Sequence, residues 1–444
     1  MMQRRSQSGA ATLVVVMVLF FIISLVAAYT SRNLIFEQRT SANQYRSTQA
    51  MEAAEAGLEW AISMLNFGRI TSSCLKSSST ADTSFRQRYL VVDANTNNIT
   101  PVPVAADLLP SCVRTPSGWD CACLTTGTST LTAPTASGVW PAFRVRFVAV
   151  ESLPATPGIP RQAGVIRAEV IGCTRLDPPG SEQCLSFDGR GALNEGRVFM
   201  SALLALTGNP VGLPSAALTS GGAVNAAGVT PFLAAHNTAP SGLGFTVHAR
   251  GTINGAGMDL LTAPGSPASG SILPNDSALD LPALSPFTAS ERIFATVFNM
   301  RPDTFRTQQA AVQVPCPTGC TAADVRTAIQ FNPSRPLWLT GSLNVDSAGD
   351  IGSATEPVVI VVNGDLTFPV GGVTIHGLVF NRLAGAATNW ITAGSGTVRG
   401  AVFAEGGVAG NGTTTISYDA DILNRVRGNV GTFVRAPGSW RDFR

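Results

Sequence analysis

The sequence predicts an α+β fold in three parts. These are a long N-terminal helix, half transmembrane and half amphipathic, an antiparallel β head, and a C-terminal parallel β-solenoid-like region. Three observations support this prediction. A charge-free apolar run leads into a helical pattern, alternating segments follow between residues 143 and 206, and short β runs recur in the last quarter of the chain. A length of 444 residues accommodates roughly two or three modules.

The helix is predicted over residues 10–66. Residues 10–30 contain no charge, Pro or Gly, and the first charged residue after them is Arg32. About 20 apolar residues suffice for a helix to cross a bilayer core. Further along, apolar residues at three- and four-residue spacings share one face, namely Met51, Ala54, Leu58, Ala61, Ile62 and Leu65. A continuous helix over this span would be roughly 85 Å long.

Three segments read as strands of the head. Residues 143–150 alternate apolar and polar side chains, residues 164–172 do so with some slippage, and residues 196–206 form a third apolar run. Pro- and Gly-containing loops separate them. This spacing predicts an antiparallel meander laid on the C-terminal half of the helix.

A repeat of 23 residues marks the C-terminal quarter. Residues 375–381 (IHGLVFN) align with residues 398–404 (VRGAVFA), and β runs at 337–345 and 357–368 precede them. Such a recurrence predicts parallel coils that stack rung on rung. Residues 413–418 add a strand, and residues 419–426 read as a closing helix that protects the sheet edge. Ordinary antiparallel sheet is the alternative for this region.

These patterns divide the chain into five parts. They are a leader (1–9), the helix (10–66), a disulfide-stapled β head (67–206), an irregular Gly/Pro-rich region (207–335) and the β-solenoid-like domain (336–444). The segment 67–139 is polar and reads as a long connection. In the fourth part we expect only one short helix, capped by Ser290.

Composition indicates an extracytoplasmic protein without nucleic-acid contacts. Charged residues make up 13% of the chain, about half the usual share. The net charge is +2, Lys76 is the single lysine, and the arginines are scattered, so no basic footprint for nucleic acid exists.

Eight cysteines, an even number, suit an oxidising compartment. We predict local disulfides between Cys173 and Cys184 and between Cys316 and Cys320. Two further bridges are expected among the remaining cysteines, with their pairing left open: Cys74, Cys112, Cys121 and Cys123. No zinc site is expected, because no Cys-x-x-Cys occurs.

No sequence motif for catalysis is present. His236, His248 and His376 are far apart, and none has a metalloprotease spacing. The chain has no phosphate-binding Gly-x-x-x-x-Gly-Lys and no Gly-x-Ser-x-Gly. We therefore expect neither an enzyme nor a cofactor nor a metal.

The N-terminal segment resembles that of PilX-type minor pilins. The resemblance rests on a basic leader ending in Gly9, the apolar helix, and residues 49–60 (QAMEAAEAGLEW). It implies cleavage by a prepilin peptidase after Gly9 and methylation of Ala10. Most pilins carry Glu at the fifth mature position, where this chain has Val14. The absence of that Glu favours a position at the top of a filament, with no subunit ahead.

The resemblance also implies how the protein acts and with what. The head is expected to be pilin-like, and the filament packing surface is assigned to Leu13, Val14, Val16, Phe20 and Ile23. Expected partners are other minor pilins, the major pilin, the prepilin peptidase, the inner-membrane assembly platform and a tip adhesin. The protein is expected to span the inner membrane once with its bulk in the periplasm, then to reach the pilus or cell surface.

Other interpretations stay open at this point. A cleaved signal peptide or a static single-pass anchor fits the apolar run, although signal h-regions are shorter, about 7–15 residues. Within the same machinery, a GspK-like minor pseudopilin of a type II secretion system is the alternative. From another class, the chain could be an anchored surface β-solenoid module for adhesion.

Overall fold

The structure is a computed structural model. It describes residues 8–442 apart from 94–95, 97, 130, 136–137, 151–162, 177–183, 188–194, 208–209, 211–213, 227–232, 240–243, 255–257, 280–287, 370, 384–387, 390–394 and 411–413. For residues 8–10, 226, 289–290, 388–389 and 410, only the backbone is described. The leader residues Arg4 and Arg5 lie outside the described residues.

The described helices and strands are as follows. The helices are α1 (Ser8–Leu65), α2 (Phe85–Tyr89), α3 (Ala289–Phe298), α4 (Pro302–Thr307), α5 (Ala322–Phe331) and α6 (Ala420–Asn429). The strands of the first half are β1 (Leu90–Val92), β2 (Ile99–Pro101), β3 (Ser111–Thr115), β4 (Gly118–Ala122), β5 (Ala142–Ala149), β6 (Val165–Cys173), β7 (Arg197–Thr207), β8 (Ala216–Ser220), β9 (Val224–Ala226), β10 (Leu233–Asn237), β11 (Phe245–Ala249), β12 (Ile253–Asn254), β13 (Met258–Thr262) and β14 (Ile272–Leu273). Those of the second half are β15 (Val312–Val314), β16 (Cys320–Thr321), β17 (Leu337–Leu339), β18 (Leu343–Asn344), β19 (Val358–Val362), β20 (Leu366–Thr367), β21 (Thr374–Asn381), β22 (Thr388–Asn389), β23 (Thr397–Ala404), β24 (Val408–Gly410), β25 (Thr414–Tyr418) and β26 (Thr432–Arg435).

Helix α1 runs unbroken for 58 residues, and burial divides it at residue 50. Every side chain from Ala11 to Thr48 is exposed. Beyond that point small and apolar side chains at helical spacing are buried against the head: Ala50, Ala54, Leu58, Ala61 and Leu65. The single continuous helix predicted from the sequence is confirmed.

The head is a six-stranded antiparallel sheet in the order β26-β7-β6-β5-β3-β4. The predicted strands at 143–150, 164–172 and 196–206 are β5, β6 and β7, which pair consecutively. They face the C-terminal half of α1, so the predicted meander is confirmed. The last strand, β26, comes from the end of the chain and pairs with β7. The C-terminus therefore completes the sheet that the N-terminal helix packs on.

The C-terminal strands form a parallel sheet. Strands β15, β17, β19, β21 and β23 lie side by side in chain order. Ile375 pairs with Val398, the offset of 23 residues that the repeat predicts, and Phe380 pairs with Phe403. The rings of this last pair stack at a centroid distance of 6.0 Å. All five residues of β19 are buried, which explains its uninterrupted apolar run.

Beyond β23, one rung is built from two distant chain segments. The first half of β23 pairs with β25, and its second half pairs with β8. Strand β10 continues the sheet from β25, and β11 continues it from β8. Strands β13 and β14 follow as the next rung. The middle and the end of the chain therefore share one eleven-stranded parallel sheet. Two smaller parallel sheets, β12-β9-β24-β22 and β16-β18-β20, accompany it. We call the three sheets together the parallel stack (β8–β25).

The prediction of irregular structure over residues 207–335 is wrong. Strands β8–β16 and helices α3–α5 lie in this region. The strands have two to five residues, and β8 pairs with β23, far along the chain. Local periodicity cannot reveal strands of this kind. The expected short helix exists as α3, but its N-cap is Thr288, which forms a capping box with Glu291, and not Ser290.

The segment 67–139 also has more regular structure than predicted. It contains α2 and strands β1–β4, and β3 and β4 belong to the head sheet. Helix α2 begins with a capping box between Ser84 and Gln87. The polar composition of this segment therefore reflects short elements and turns, and not an unstructured connection.

All eight cysteines are paired in disulfides. The two predicted local bridges, Cys173–Cys184 and Cys316–Cys320, are confirmed. Cys74 pairs with Cys123, and Cys112 pairs with Cys121 across β3 and β4. Each bridge joins residues within the head or within the parallel stack.

A buried arginine of α2 holds the segment that links α6 to β26. The guanidinium of Arg86 donates to the carbonyl of Asn429 at 2.6 Å and to that of Gly431 at 2.7 Å. It also lies 4.7 Å from the ring centroid of Phe433. Burial, with a further contribution from the charge of Arg335, lowers the pKa of Arg86 to about 9. At the start of β26, Asn66 accepts a hydrogen bond from the Phe433 N–H at 2.7 Å and donates one to the Phe433 carbonyl at 2.8 Å, which ties the end of α1 to the head sheet.

Candidate functional site

The exposed half of α1 is the candidate functional site. The five predicted packing residues all lie on it and are exposed, with Phe20 the most accessible at 71%; they are Leu13, Val14, Val16, Phe20 and Ile23. An 18-residue window of the helix has a mean hydropathy of 2.9 and no residue buried inside the molecule. A surface this apolar requires either lipid or other helices around it.

The length of this surface matches a bilayer. Residues 11–31 carry no charge, and at about 1.5 Å per residue they span about 31 Å, against a hydrocarbon core of about 30 Å. Gly9 and Ala10 lie in the first turn of α1. The predicted processing position is therefore at the end of the apolar half that is far from the head.

Two threonine hydroxyls on this half are satisfied within the helix. Thr30 Oγ1 donates to the carbonyl of Val26 at 2.7 Å, and Thr40 Oγ1 donates to that of Phe36 at 2.9 Å. Bonds of this kind remove the cost of placing a hydroxyl in an apolar environment. The helix can thus pass from lipid to a protein surface without leaving these donors unpaired.

Two glycines let α1 approach the sheet at backbone contact distance. A Cβ added at Gly172 would overlap the carbonyl oxygen of Ala50 and lie 2.5 Å from the nitrogen of Ala54. A Cβ at Gly196 would overlap the carbonyl oxygen of Arg46. Sequence reasoning did not identify these residues, although a glycine inside a strand pattern is a signal of close backbone approach.

Aromatic side chains fix the helix laterally. Trp60 lies 5.4 Å from Phe143 of β5 and 5.4 Å from Phe85 of α2, measured between ring centroids. At the outer edge, Glu59 pairs with Arg435 of β26 at 3.1 Å. The C-terminal half of α1 therefore packs against the sheet, α2 and the last strand. These contacts fix the direction of the exposed half, which continues the same helix.

Charges begin where the apolar surface ends. Arg32, Glu37 and Arg39 are exposed on the stretch between the apolar half and the head, and Glu52 and Glu55 are exposed beside the sheet. They leave a polar flank along an otherwise apolar helix. Within the described residues, no group of three or more His, Cys, Asp or Glu side chains is placed to hold a metal ion.

A long helix, exposed and apolar over one half and packed on an antiparallel sheet over the other, is the arrangement expected of a membrane-anchored, type IV pilin-like protein. The PilX N-terminal family matches residues 8–59. The resemblance read from the leader, the apolar run and residues 49–60 is thereby confirmed for this segment.

Comparison with whole proteins adds little. No curated protein matches the chain. Among solved structures, the competence-associated pilin ComZ from Thermus thermophilus is similar over 89% of this chain and 97% of its own, with 10% identity and a TM-score of 0.23. A TM-score this low does not define a shared fold for the head and the parallel stack.

Proposed function

We propose that the protein is a minor pilin of a type IV pilus that primes assembly or occupies the filament tip. The observation that carries the proposal is the division of α1 into an exposed apolar half and a half buried against the head. A plain membrane anchor needs only the first half. A helix that continues into the head as one rigid rod transmits its position in the membrane to the folded domain.

The proposed mechanism is physical and requires no catalytic residue, metal or cofactor. Prepilin peptidase cleaves after Gly9 and methylates Ala10 at the inner membrane, where the chain is anchored once with its bulk in the periplasm. The helix then leaves the bilayer and packs with other pilin helices through Leu13, Val14, Val16, Phe20 and Ile23. Helix contacts replace lipid contacts of the same apolar surface, so the transfer exposes no new apolar area to water.

The head and the parallel stack support a terminal position in the filament. The parallel stack, which we interpret as a β-solenoid-like module, adds bulk to the head. Arg86 of the head donates to the end of α6, and α6 packs against β21 and β23 of the stack. A domain of this size is poorly suited to repetition along a thin fibre. We infer partners among the major pilin, other minor pilins, the assembly platform and a tip adhesin.

The mature N-terminus tests the proposal. Mass spectrometry of the protein from membrane and sheared-filament fractions should find a chain that begins with N-methylated Ala10. Gly9→Val provides the matched variant, and it should keep the leader and stay in the membrane fraction.

Other mature N-termini would each support a different class of protein. A first residue near Tyr29 would indicate ordinary secretion, and an intact leader in the wild type would indicate a static anchor; either contradicts the proposal. The processed chain could also be absent from sheared pili, with type II secretion failing in cells that lack the protein. That result would assign the protein to a type II secretion pseudopilus and not to a pilus.

A further inference from the structure

Three polar side chains from neighbouring rungs of the parallel stack form one hydrogen-bonded chain. Ser215 directly precedes β8, His248 lies in β11, and Asp276 follows β14. Strand β11 pairs with both β8 and β14, and His248 is in register with Thr219 and Leu273. Its side chain contacts Ser215, before β8, and Asp276, after β14. Ser215 Oγ is 3.1 Å from His248 Nδ1, and His248 Nε2 is 2.5 Å from Asp276 Oδ2.

The aspartate is held on its far side as well. Asp276 Oδ1 accepts a hydrogen bond from the backbone N–H of Ala278 at 2.9 Å. This bond first, and the side chain of His248 second, lower the pKa of Asp276. The ionised carboxylate accepts the Nε2 proton of His248, and the Nδ1 lone pair then faces the hydroxyl of Ser215. From these partners we assign the imidazole the tautomer that a general base needs.

The other two histidines of the chain provide a comparison. His236 lies 3.3 Å from Asp259, and His376 lies 3.5 Å from Asp350, so pairing with an aspartate is common to all three. In both cases the aspartate side chain is more than half exposed, against 22% for Asp276. Within the described part of the chain, no hydroxyl group contacts the ring of His236 or His376. Ser215 is what distinguishes His248.

We propose that Ser215, His248 and Asp276 form a nucleophilic serine centre that hydrolyses esters. Ser215 Oγ bonds to the carbonyl carbon of the ester while its proton passes to His248 Nδ1. The carbon–oxygen bond to the alcohol then breaks, and the alcohol leaves with that proton. Water adds to the acyl group with His248 as base, the serine–acyl bond breaks, and the free acid and Ser215 result. Water is the one co-reactant.

The three side chains are partly exposed. The side chains of His248 and Asp276 are 12% and 22% exposed, and Ser215 is half-buried. The proposal requires that a small acyl group presented at the surface reaches the hydroxyl. No local motif marks the site, because 33 positions separate Ser215 from His248 and 28 separate His248 from Asp276. The activity goes beyond the proposed assembly role and does not depend on it.

Labelling of the full-length protein in detergent with a fluorophosphonate probe tests the proposal. The wild type should carry the adduct on Ser215, identified by peptide mass spectrometry, and Ser215→Ala should carry none. His248→Asn should lower the labelling rate by about 100-fold, the typical contribution of a general base. His236→Asn is the matched control and should label like the wild type. The rate of p-nitrophenyl acetate hydrolysis should rank the variants in the same order as the labelling rate.

Three outcomes would overturn the proposal. They are an unlabelled Ser215 in the wild type, equal labelling of the wild type and His248→Asn, and equal losses in His248→Asn and His236→Asn. The melting temperature of each variant separates loss of reactivity from loss of folding. Ser215→Ala should still assemble, so this result leaves the pilin proposal to its own test.

Discussion

Substitution of Gly172 by alanine should push α1 away from the head sheet. The added Cβ would overlap the carbonyl oxygen of Ala50 and lie 2.5 Å from Ala54 N and 2.9 Å from Ala54 Cβ. The first two are backbone atoms of a helix and cannot turn aside as a side chain can. Overpacking of a core typically costs about 1–3 kcal/mol, and the rigid neighbours place this substitution at the upper end, about 3 kcal/mol.

Urea unfolding of the full-length protein measures this loss. Near-ultraviolet circular dichroism reports on packed aromatic side chains, and Trp60 and Phe143 lie directly at the interface. At about 2–4 °C per kcal/mol for a domain of roughly 150–250 residues, the melting temperature of the head should fall by about 6–12 °C.

Two further glycines calibrate the effect. At Gly57 the new Cβ would meet Val170 at 2.7 Å and Phe143 at 2.8 Å, which are side chains able to shift, so Gly57→Ala should lose less than Gly172→Ala. At Gly270 the nearest atom is 3.5 Å away, so Gly270→Ala should stay within about 0.5 kcal/mol of the wild type. Equal stability of Gly172→Ala and Gly270→Ala would refute the inference that backbone contact at Gly172 seats the helix.

Two other predictions concern the junction and the helix caps. Arg86→Met should lower the free energy of unfolding by about 2–5 kcal/mol, because the carbonyls of Asn429 and Gly431 lose their donors. The control Arg114→Met, at an exposed position of β3, should change it by under about 1 kcal/mol. Equal losses for the two variants in calorimetry would contradict a special role for Arg86. The pKa values of Glu291 and Asp324 are lowered chiefly by hydrogen bonds within their capping boxes, from the Thr288 backbone and the Thr321 side chain respectively. Their stabilisation is therefore present above the unfolded-state values of about 4 and lost as pH falls through the lower folded values. Between pH 5 and pH 2 the melting temperature of the double variant Glu291→Gln/Asp324→Asn should fall less steeply than that of the wild type. Equal slopes would exclude the two caps as a cause of the acid sensitivity.

Local patterns in the sequence determined the helix and the strongest strands. The apolar run from Ala10, the spacing of Ala54, Leu58 and Ala61, and the alternation in β5 all appear within a few turns or residues. The same holds for the 23-residue repeat that aligns β21 with β23, and for the two disulfides whose cysteines are 11 and 4 positions apart. The same apolar run accounts for the exposed side chains of Leu13, Val14, Val16, Phe20 and Ile23, whose role in filament packing stays a prediction.

Tertiary structure alone decided the features that depend on distant partners. Strand β8 becomes part of the stack because β23 accepts it, and β26 completes a head sheet that began with β3. Gly172 matters because Ala50 lies against it, and Ser215 gains a base because two rungs bring His248 beside it. Two-residue strands, single glycines and lone histidines carry almost no local signal. Their roles come from atoms that the chain brings together only after it folds. Sequence periodicity therefore identified helix α1, while the packed structure defined the contact between α1 and the head sheet and the proposed serine centre.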